Sequence, residues 1–241
     1  MNVVVIGATS AVAQSAVRLW AAKHYSLTLF GRNAGELERI AADARVRGAV
    51  EVTVHAGEIT EFSYIQSSMK TLATPQIALI AHGSSSDSER ADDDATYLAQ
   101  ELNTNFNSAV LWTQSIAAKM ATAREGCIAV ISSVAGDRGR YSNHVYGAAK
   151  AGLSAFCSGL RARASHYGVH VVTVKPGFID TPMTAHIEKK GALWASADQV
   201  ASGIVKAIEK RRDVVYLPSF WALIMLVIQH VPERIFKRIK F

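Results

Sequence analysis

Three side chains in the second half of the chain, Ser133, Tyr146 and Lys150, have the types and spacing for acid catalysis on a carbonyl group. Tyr146 and Lys150 are four residues apart, so on a helix they share one face and the ammonium lies beside the phenol. A free phenol has a pKa of about 10, and a neighbouring cation lowers that pKa. We therefore predict that Ser133 holds a carbonyl oxygen while Tyr146 donates a proton to it.

A turn of small residues near the start of the chain, Gly7 to Ala13, is a candidate phosphate site. Small side chains let the backbone approach a pyrophosphate, and the helix that follows supplies unpaired N–H groups and the positive end of its dipole. Gly7 is the only glycine in this turn, so the same residues also fit an ordinary strand-to-helix turn that needs small side chains for packing.

The tip of the second predicted strand carries Gly31, Arg32 and Asn33. A carboxylate at this place would hydrogen-bond a ribose 2′-hydroxyl, whereas an arginine suits a 2′-phosphate. Because the tip has Arg32 and no carboxylate, it predicts recognition of a 2′-phosphate. The alternative is a solvated loop arginine.

These residues follow predicted strands, or lie on the helices that come after them. Apolar runs and helical spacing alternate along the chain. They predict strands at 2–6, 26–30, 50–54, 76–81, 127–131, 169–174 and 214–217, helices at 11–23, 34–47, 62–72, 95–120, 146–167 and 198–210, and a polar loop at 83–94. Continuous apolar strands are typical of a parallel sheet that helices cover on both faces. The sequence therefore predicts a single α/β domain with a doubly wound parallel sheet of about seven strands, whose ligands bind at the carboxyl ends of the strands.

The composition excludes some classes of protein. The 241 residues are 49% hydrophobic and 19% charged, which rules out disorder for most of the chain. The net charge of +6 is concentrated near the C-terminus, so a nucleic-acid groove is not expected. Two cysteines, Cys127 and Cys157, cannot form a disulfide framework, and the chain opens on an apolar strand without a secretory leader, which predicts a cytoplasmic protein.

Together with Asn105 in the long predicted helix, the set Ser133, Tyr146 and Lys150 resembles the catalytic set of the short-chain dehydrogenase/reductase family. The resemblance covers roughly residues 1–218 and implies a catalytic domain with a Rossmann fold, an NADP(H) cofactor and transfer of hydride to a ketone. It also implies that Asn105 holds a water connecting Lys150 to solvent, and that Lys150 holds the nicotinamide ribose.

The same resemblance implies which residues contact the cofactor. They follow the first four strands and the sixth, and include two catalytic residues: Gly7, Thr9, Ser10, Ala11, Val12, Arg32, Asn33, Glu58, Ile59, Ala81, His82, Gly83, Tyr146, Lys150, Pro176, Gly177, Ile179 and Thr181. Two segments depart from the family's pattern. Ala11 and Ala13 stand where the family has glycines, so each adds a methyl group where backbone approaches phosphate or helix packs on strand. Residues 80–83 read Ile-Ala-His-Gly where the family has Asn-Asn-Ala-Gly.

Within the family, the closer similarity is to reductases of a 2-keto-pentose carried on a polyprenyl phosphate. It rests on the segments 144–146, 150–153, 183–186, 230–232 and 235–236. This similarity implies a lipid-linked keto-sugar as the substrate, a role in the synthesis of cell-wall or other polysaccharide, a flavin-dependent oxidase as a partner, and a homo-oligomer. It also implies that residues 178–194 form a lid over the substrate.

Residues 219–241 form an apolar and basic C-terminal tail. As a helix its apolar run, 220–228, is too short to cross the ~30 Å hydrocarbon core of a membrane. The run is followed by Arg234, Lys237, Arg238 and Lys240, whose charges favour anionic headgroups. The tail therefore predicts a peripheral contact with the inner face of a membrane. The alternative is burial against another subunit.

Two other functions fit the same sequence: reduction of a soluble or fatty ketone, and a non-catalytic module that senses NADP(H). His82 and His144 flank the presumed site, and we expect them to serve packing or indirect contacts because Tyr146 already supplies the proton. Cys127 and Cys157 are expected to be packing residues. The sequence contains no His, Cys and Asp cluster with metal-ligand spacing, so no metal is predicted.

Overall fold

The computed structural model describes residues 1–185, 187–188 and 191–239. Nine strands lie in this part of the chain: β1 (Asn2–Ile6), β2 (Ser26–Gly31), β3 (Val52–Ala56), β4 (Ile77–Ile80), β5 (Gly126–Ile131), β6 (Val169–Pro176), β7 (Phe178–Asp180), β8 (Trp194–Ser196) and β9 (Val214–Leu217). The α-helices are α1 (Ala11–Ala21), α2 (Ala34–Val46), α3 (Phe62–Thr71), α4 (Ser88–Asp93), α5 (Ala95–Leu102), α6 (Ser108–Ala123), α7 (His144–Ser165), α8 (Ala197–Glu209), α9 (Trp221–His230) and α10 (Glu233–Phe236). His186 of the expected lid and Lys240 of the tail lie outside the described residues.

Seven strands form one parallel sheet in the order β3-β2-β1-β4-β5-β6-β9. The chain winds outward from β1 to β3, then crosses to β4 and winds the other way. This reversal places a crevice between the carboxyl ends of β1 and β4, where ligands of such sheets bind. The predicted α/β fold with a doubly wound sheet of seven strands is confirmed. The separate pair of short strands, β7 and β8, was not predicted.

The core has two layers because successive strand residues point to opposite faces of the sheet. Val3 and Val5 lie in a cluster with buried side chains of α1, α2 and α8. Val4 and Ile6 face the other way and lie in a cluster with α3, α6 and α7. Helices therefore cover both faces of the sheet, which explains the continuous apolar runs in its central strands β1, β4 and β5.

The long helix predicted at 95–120 is wrong as a single element. The structure has α5, then a π-helical segment at Asn103–Asn107, then α6. The reason is tertiary: the fully buried Asn105 side chain bonds with Ser84 and Glu101, and π segments accommodate such local distortion.

The predicted polar loop at 83–94 contains α4. Its start is stabilised by the Asp87 carboxylate, which accepts a hydrogen bond of 3.1 Å from the Arg90 N–H. Only Ala91 of this helix is buried, so the segment has no apolar periodicity from which a helix could be predicted.

The C-terminal tail folds back on the domain through α9 and α10. Trp221 and Met225 of α9 form a small cluster with Val134, the residue after Ser133. Within the described part of the chain, no helix is both long enough and apolar enough to cross a membrane.

Candidate active site

A cleft lies at the carboxyl ends of the central strands. The predicted site residues that line it are Gly7, Thr9, Ser10, Ala11, Val12, Arg32, Ile59, Ala81, His82, Gly83, Ser133, Tyr146, Lys150, Pro176, Gly177, Ile179 and Thr181. Asn33, Glu58 and Asn105 are not among the lining residues. The fold thus brings most of the predicted site together from parts of the chain more than 170 residues apart.

The turn after β1 has the backbone conformation that its sequence suggests. Gly7 has a φ of +82°, and a Cβ at this position would lie 2.7 Å from the backbone nitrogen of His82. Ser10 is the N-cap residue of α1, and among the described residues its side chain makes no capping hydrogen bond. The first-turn N–H groups of α1 therefore remain available to an anion at the cleft.

The tip of β2 separates two predicted residues. Arg32 is exposed and lines the cleft. The Asn33 side chain instead caps α2 by accepting a hydrogen bond of 3.0 Å from the Glu36 N–H. At the tip of β3, the exposed Glu58 carboxylate accepts a hydrogen bond of 2.7 Å from the Thr60 hydroxyl. The predicted cofactor contacts of Asn33 and Glu58 stay predictions.

Ser133, Tyr146 and Lys150 converge at one end of the cleft. The Ser133 hydroxyl accepts a hydrogen bond of 3.1 Å from the Ala135 N–H, where a 3₁₀ turn begins. Tyr146 and Lys150 lie one turn apart on α7, and the Lys150 amine is 5.6 Å from the centre of the Tyr146 ring. The same amine donates a hydrogen bond of 3.1 Å to the Ile131 carbonyl. A substrate carbonyl beside Tyr146 would therefore meet two hydroxyl groups and a cation.

Burial shifts the pKa values of Tyr146 and Lys150. Burial raises the pKa of Tyr146, and its hydrogen bond with Ser133 opposes that shift. The net shift of this pKa is upward, and the lowering expected from Lys150 stays a prediction. Burial also lowers the pKa of Lys150 to about 8, so the amine is still mostly protonated at neutral pH.

Asn105 lies behind the cleft wall in a closed hydrogen-bond network. Its Oδ1 accepts a hydrogen bond of 3.0 Å from the Ser84 N–H, and its Nδ2 donates to the Glu101 carboxylate at 3.2 Å. A Cβ on Gly83 would lie 2.9 Å from Asn105 Oδ1 and 3.5 Å from Lys150 Nζ. Asn105 is thus close to Lys150, with Gly83 between them. Its role in a water relay stays a prediction.

His82 is held as a neutral imidazole. Its Nε2 is 2.9 Å from the Ser108 hydroxyl. Burial, and then the charges of Lys150 and Arg32, lower the pKa of His82 to about 3. Because the ring does not titrate near neutral pH, His82 is a poor candidate for the acid or base.

A second cavity opens beside the cleft, and Met183 lines both. Its other lining residues all carry polar side chains: Ser85, Ser86, Asp87, Ser88, Glu89, Asp92, Tyr141, Ser142 and His144. His144 Nε2 lies 3.6 Å from an Asp92 carboxylate oxygen, and the Ser88 hydroxyl donates a hydrogen bond of 3.0 Å to the Ser142 carbonyl. This cavity offers hydroxyl, imidazole and carboxylate groups to a polar molecule.

A family model described as short chain dehydrogenase matches residues 1–192 of the 241. The chain belongs to the short-chain dehydrogenase family. It is therefore an oxidoreductase that acts on alcohol and carbonyl groups, as the resemblance predicted.

Two bacterial relatives match this short-chain dehydrogenase along nearly its whole length. An uncharacterized oxidoreductase of Mycobacterium tuberculosis is 32% identical over 242 residues, with 98% of this chain and 96% of the relative covered. An uncharacterized oxidoreductase of Streptomyces coelicolor is 29% identical over 241 residues, with 99% and 95% covered.

Solved structures share the fold at low sequence identity. A short-chain dehydrogenase from Sphingobium yanoikuyae in complex with NADPH is 19% identical with a TM-score of 0.83, and 97% of each chain is covered. The bulky-bulky ketone specific alcohol dehydrogenase from Comamonas testosteroni is 17% identical with a TM-score of 0.81, and 97% of this chain and 98% of that chain are covered. At these identities the likeness shows the shared fold.

Four residues that line the cleft of this short-chain dehydrogenase were not predicted as site residues: Thr60, Thr104, Ile131 and Ser132. Pro182, Met183 and Thr184 also line the cleft, and they lie in the segment 178–194 that was expected to form a lid. Thr60, Thr104 and Ser132 are each adjacent in sequence to a predicted site residue, which was the available signal. Among the described residues, no group of three or more His, Cys, Asp or Glu side chains could hold a metal ion.

Proposed function

We propose that this short-chain dehydrogenase is an NADPH-dependent reductase of a keto-sugar. The cleft fits such a cofactor because Gly7 leaves bare backbone beside the free N–H groups of α1 and because Arg32 can pair with a 2′-phosphate. The N-terminal turn of α1 would hold the pyrophosphate, Arg32 the 2′-phosphate, and Lys150 the nicotinamide ribose. When bound, NADPH supplies a hydride to the carbonyl carbon.

The chain's own groups then manage the oxygen and the proton. Ser133 donates a hydrogen bond that orients the carbonyl oxygen, and Tyr146 transfers its phenolic proton to that oxygen as the carbonyl becomes an alcohol. Burial keeps Tyr146 protonated and ready to donate at neutral pH, because it raises the phenol pKa. Lys150, with its pKa lowered to about 8, is suited to return a proton to the tyrosinate.

The observation that carries the substrate class is the second cavity. Its lining combines four serine hydroxyls with three carboxylates, a tyrosine and a histidine. Ser86, Ser88 and Asp87 already have hydrogen-bond partners in the protein. The other polar groups can hydrogen-bond the hydroxyls of a sugar, whereas an alkyl chain would only remove water from them. Because Met183 borders both cavities, a sugar in the second cavity could place a keto group near Tyr146.

We further propose that the sugar is carried on a polyprenyl phosphate. The C-terminal tail supports this proposal, because α9 exposes large apolar side chains and packs against the residue that follows Ser133. Both bacterial relatives are named as uncharacterized oxidoreductases, and neither name indicates a substrate.

The deciding experiment measures NADPH consumption with soluble keto-sugars, fatty ketones and polyprenyl-phosphate-linked keto-pentoses. Ser85→Val and Ser142→Val should raise the KM for keto-sugars by about tenfold while the kcat/KM for a small soluble ketone is unchanged. Ser63→Val on the distant α3 is the matched control. Turnover of fatty ketones alone would contradict the substrate class. Binding of NADPH with no turnover of any ketone would favour a sensing module.

A further inference from the structure

The C-terminal tail, residues 219–239, has one apolar face that the domain leaves uncovered. Leu223, Leu226 and Val227 of α9 are 68%, 53% and 61% exposed, and Ile235 of α10 is 57% exposed. The opposite face is buried: Trp221 is 3% exposed and Met225 is completely enclosed. The remaining exposed large apolar residues are mostly scattered singly over the surface, as is usual in soluble domains. The tail is different because Leu223, Leu226 and Val227 lie on adjacent turns of α9.

The orientation of this face is set by Arg138. The guanidinium donates hydrogen bonds to the carbonyls of Ile228 and Val231 at 2.8 and 2.6 Å, and to the Glu233 carboxylate at 2.8 Å. It also lies 3.9 Å from the centre of the Phe236 ring. A cation at the end of α9 adds hydrogen bonds to the last carbonyls of the helix and complements its dipole. The tail is therefore a docked element with a defined outward surface.

The exposed charged side chains that follow α9 in the chain are mainly basic. Arg234, Lys237 and Arg238 are all exposed, and the neighbouring acid, Glu233, is paired with Arg138. An exposed apolar row that is followed in the chain by exposed basic side chains complements an anionic lipid surface, where the apolar groups enter the acyl boundary and the cations contact phosphates. Each basic residue near such a surface contributes to binding, and salt weakens that contribution.

A second copy of the chain fits these charges less well. A two-fold dimer brings the same patch of both subunits together. It would bring two sets of three exposed cations to one interface, and like charges in that arrangement oppose association. The charge pattern therefore favours a lipid surface over self-association.

We infer that the exposed face of α9 and α10 docks on an anionic lipid bilayer as a peripheral amphipathic element. The contact is monotopic, because α9 spans only residues Trp221–His230. It also brings the cleft near the bilayer, since Trp221 packs against Gly177 and Val134, which border the site. The inference does not depend on the reaction that the site performs.

Sedimentation with vesicles tests this inference on the full chain. We expect binding to vesicles of phosphatidylcholine mixed with phosphatidylglycerol, weaker binding to phosphatidylcholine alone, and loss of the difference at high salt. A triple variant of the apolar row, Leu223→Ser, Leu226→Ser and Val227→Ser, should bind about tenfold or more weakly. A charge variant with Arg234→Gln, Lys237→Gln and Arg238→Gln should weaken binding to the anionic vesicles by a similar factor.

Matched control variants change equally exposed residues elsewhere. The apolar control carries Val46→Ser, Val50→Ser and Phe62→Ser, and the charge control carries Lys70→Gln, Arg163→Gln and Lys210→Gln. Both should bind vesicles like the unmodified protein. Circular dichroism melting verifies that each variant is folded, and the single variant Leu223→Ser replaces the triple variant if the triple one unfolds.

Equal binding to both vesicle types, or unchanged binding of both tail variants, would overturn the inference. Light scattering after gel filtration tests the alternative that a second copy of the chain covers the exposed face. If the apolar triple variant turns a dimer into a monomer while vesicle binding is unchanged, the exposed face belongs to a second copy of the chain.

Discussion

The indole of Trp221 lies directly against the backbone of Gly177. A Cβ on Gly177 would be 1.9 Å from the indole Nε1. The indole is buried with Val134 and Met225, so it cannot move into solvent without losing these contacts. The tail and the wall of the cleft therefore fit together only because position 177 has no side chain.

Gly177→Ala should lower the free energy of unfolding by about 1–3 kcal/mol, because the added methyl group overpacks a buried contact. Urea unfolding measures this change. Gly159→Ala in α7 is the control, because a Cβ there meets nothing within 4 Å, and it should be neutral or stabilising by about 0.5–1 kcal/mol. Leucine is smaller than tryptophan, so adding Trp221→Leu to Gly177→Ala should recover part of the lost stability in the double variant. Equal effects of the two glycine substitutions would refute the steric explanation.

Tyr146→Phe should lower kcat by a factor of at least about 10² while NADPH binding stays within a few-fold of the unmodified protein. The reason is that the phenyl ring keeps the packing on α7 but has no proton to donate. Steady-state kinetics and calorimetric binding give the two quantities. Tyr167→Phe, at an exposed tyrosine beyond the end of α7, should leave both unchanged. A Phe variant with substantial turnover would show that another group is the acid.

Lys150→Met should change how stability depends on pH. The pKa of Lys150 is lowered from 10.5 to about 8 by burial. Between these values the unfolded chain binds more protons than the folded one, so the contribution of Lys150 to the free energy of unfolding rises with pH. Below about pH 8 the buried charge costs about 3 kcal/mol, and that cost disappears as the pH approaches about 10.

Urea unfolding of both proteins across this pH range isolates the contribution of Lys150, since other titrating groups are common to the two. The increase in the free energy of unfolding caused by Lys150→Met should be largest near neutral pH and should become smaller above about pH 8. A difference that is constant with pH would mean that Lys150 is not desolvated in solution.

Arg32→Asp should weaken NADPH binding by about tenfold or more and should leave NADH binding equal or stronger. The physical reason is that the exposed guanidinium at the tip of β2 can pair with a 2′-phosphate, whereas a carboxylate repels the phosphate and accepts a hydrogen bond from a 2′-hydroxyl. Fluorescence titration with each cofactor measures both affinities. Arg163→Asp on α7 is the charge control. If the preference for NADPH is unchanged by Arg32→Asp, another group reads the 2′-phosphate.

Local sequence was sufficient to predict where Ser133, Tyr146 and Lys150 would meet. The continuous apolar strands determine the parallel sheet, and parallel strands end at one edge, which places Ser133 and the start of α7 together. The four-residue spacing of Tyr146 and Lys150 then determines their common face. The turns after β1 and β2 were predictable for the same reason, since each follows a strand that its own residues specify.

Only the tertiary structure decided the properties that depend on contacts distant in sequence. Asn105 is buried because Ser84 and Glu101 form hydrogen bonds with its side-chain amide. The periodicity of the helix does not predict these hydrogen bonds. The direction of the pKa shifts of Tyr146 and Lys150 follows from burial. Burial depends on how the helices and strands pack around these side chains. The exposed face of the tail depends on Arg138, located about 90 residues earlier in the chain. Patterns specify elements because their forces act within a few residues, whereas burial and charge pairing emerge only when those elements pack.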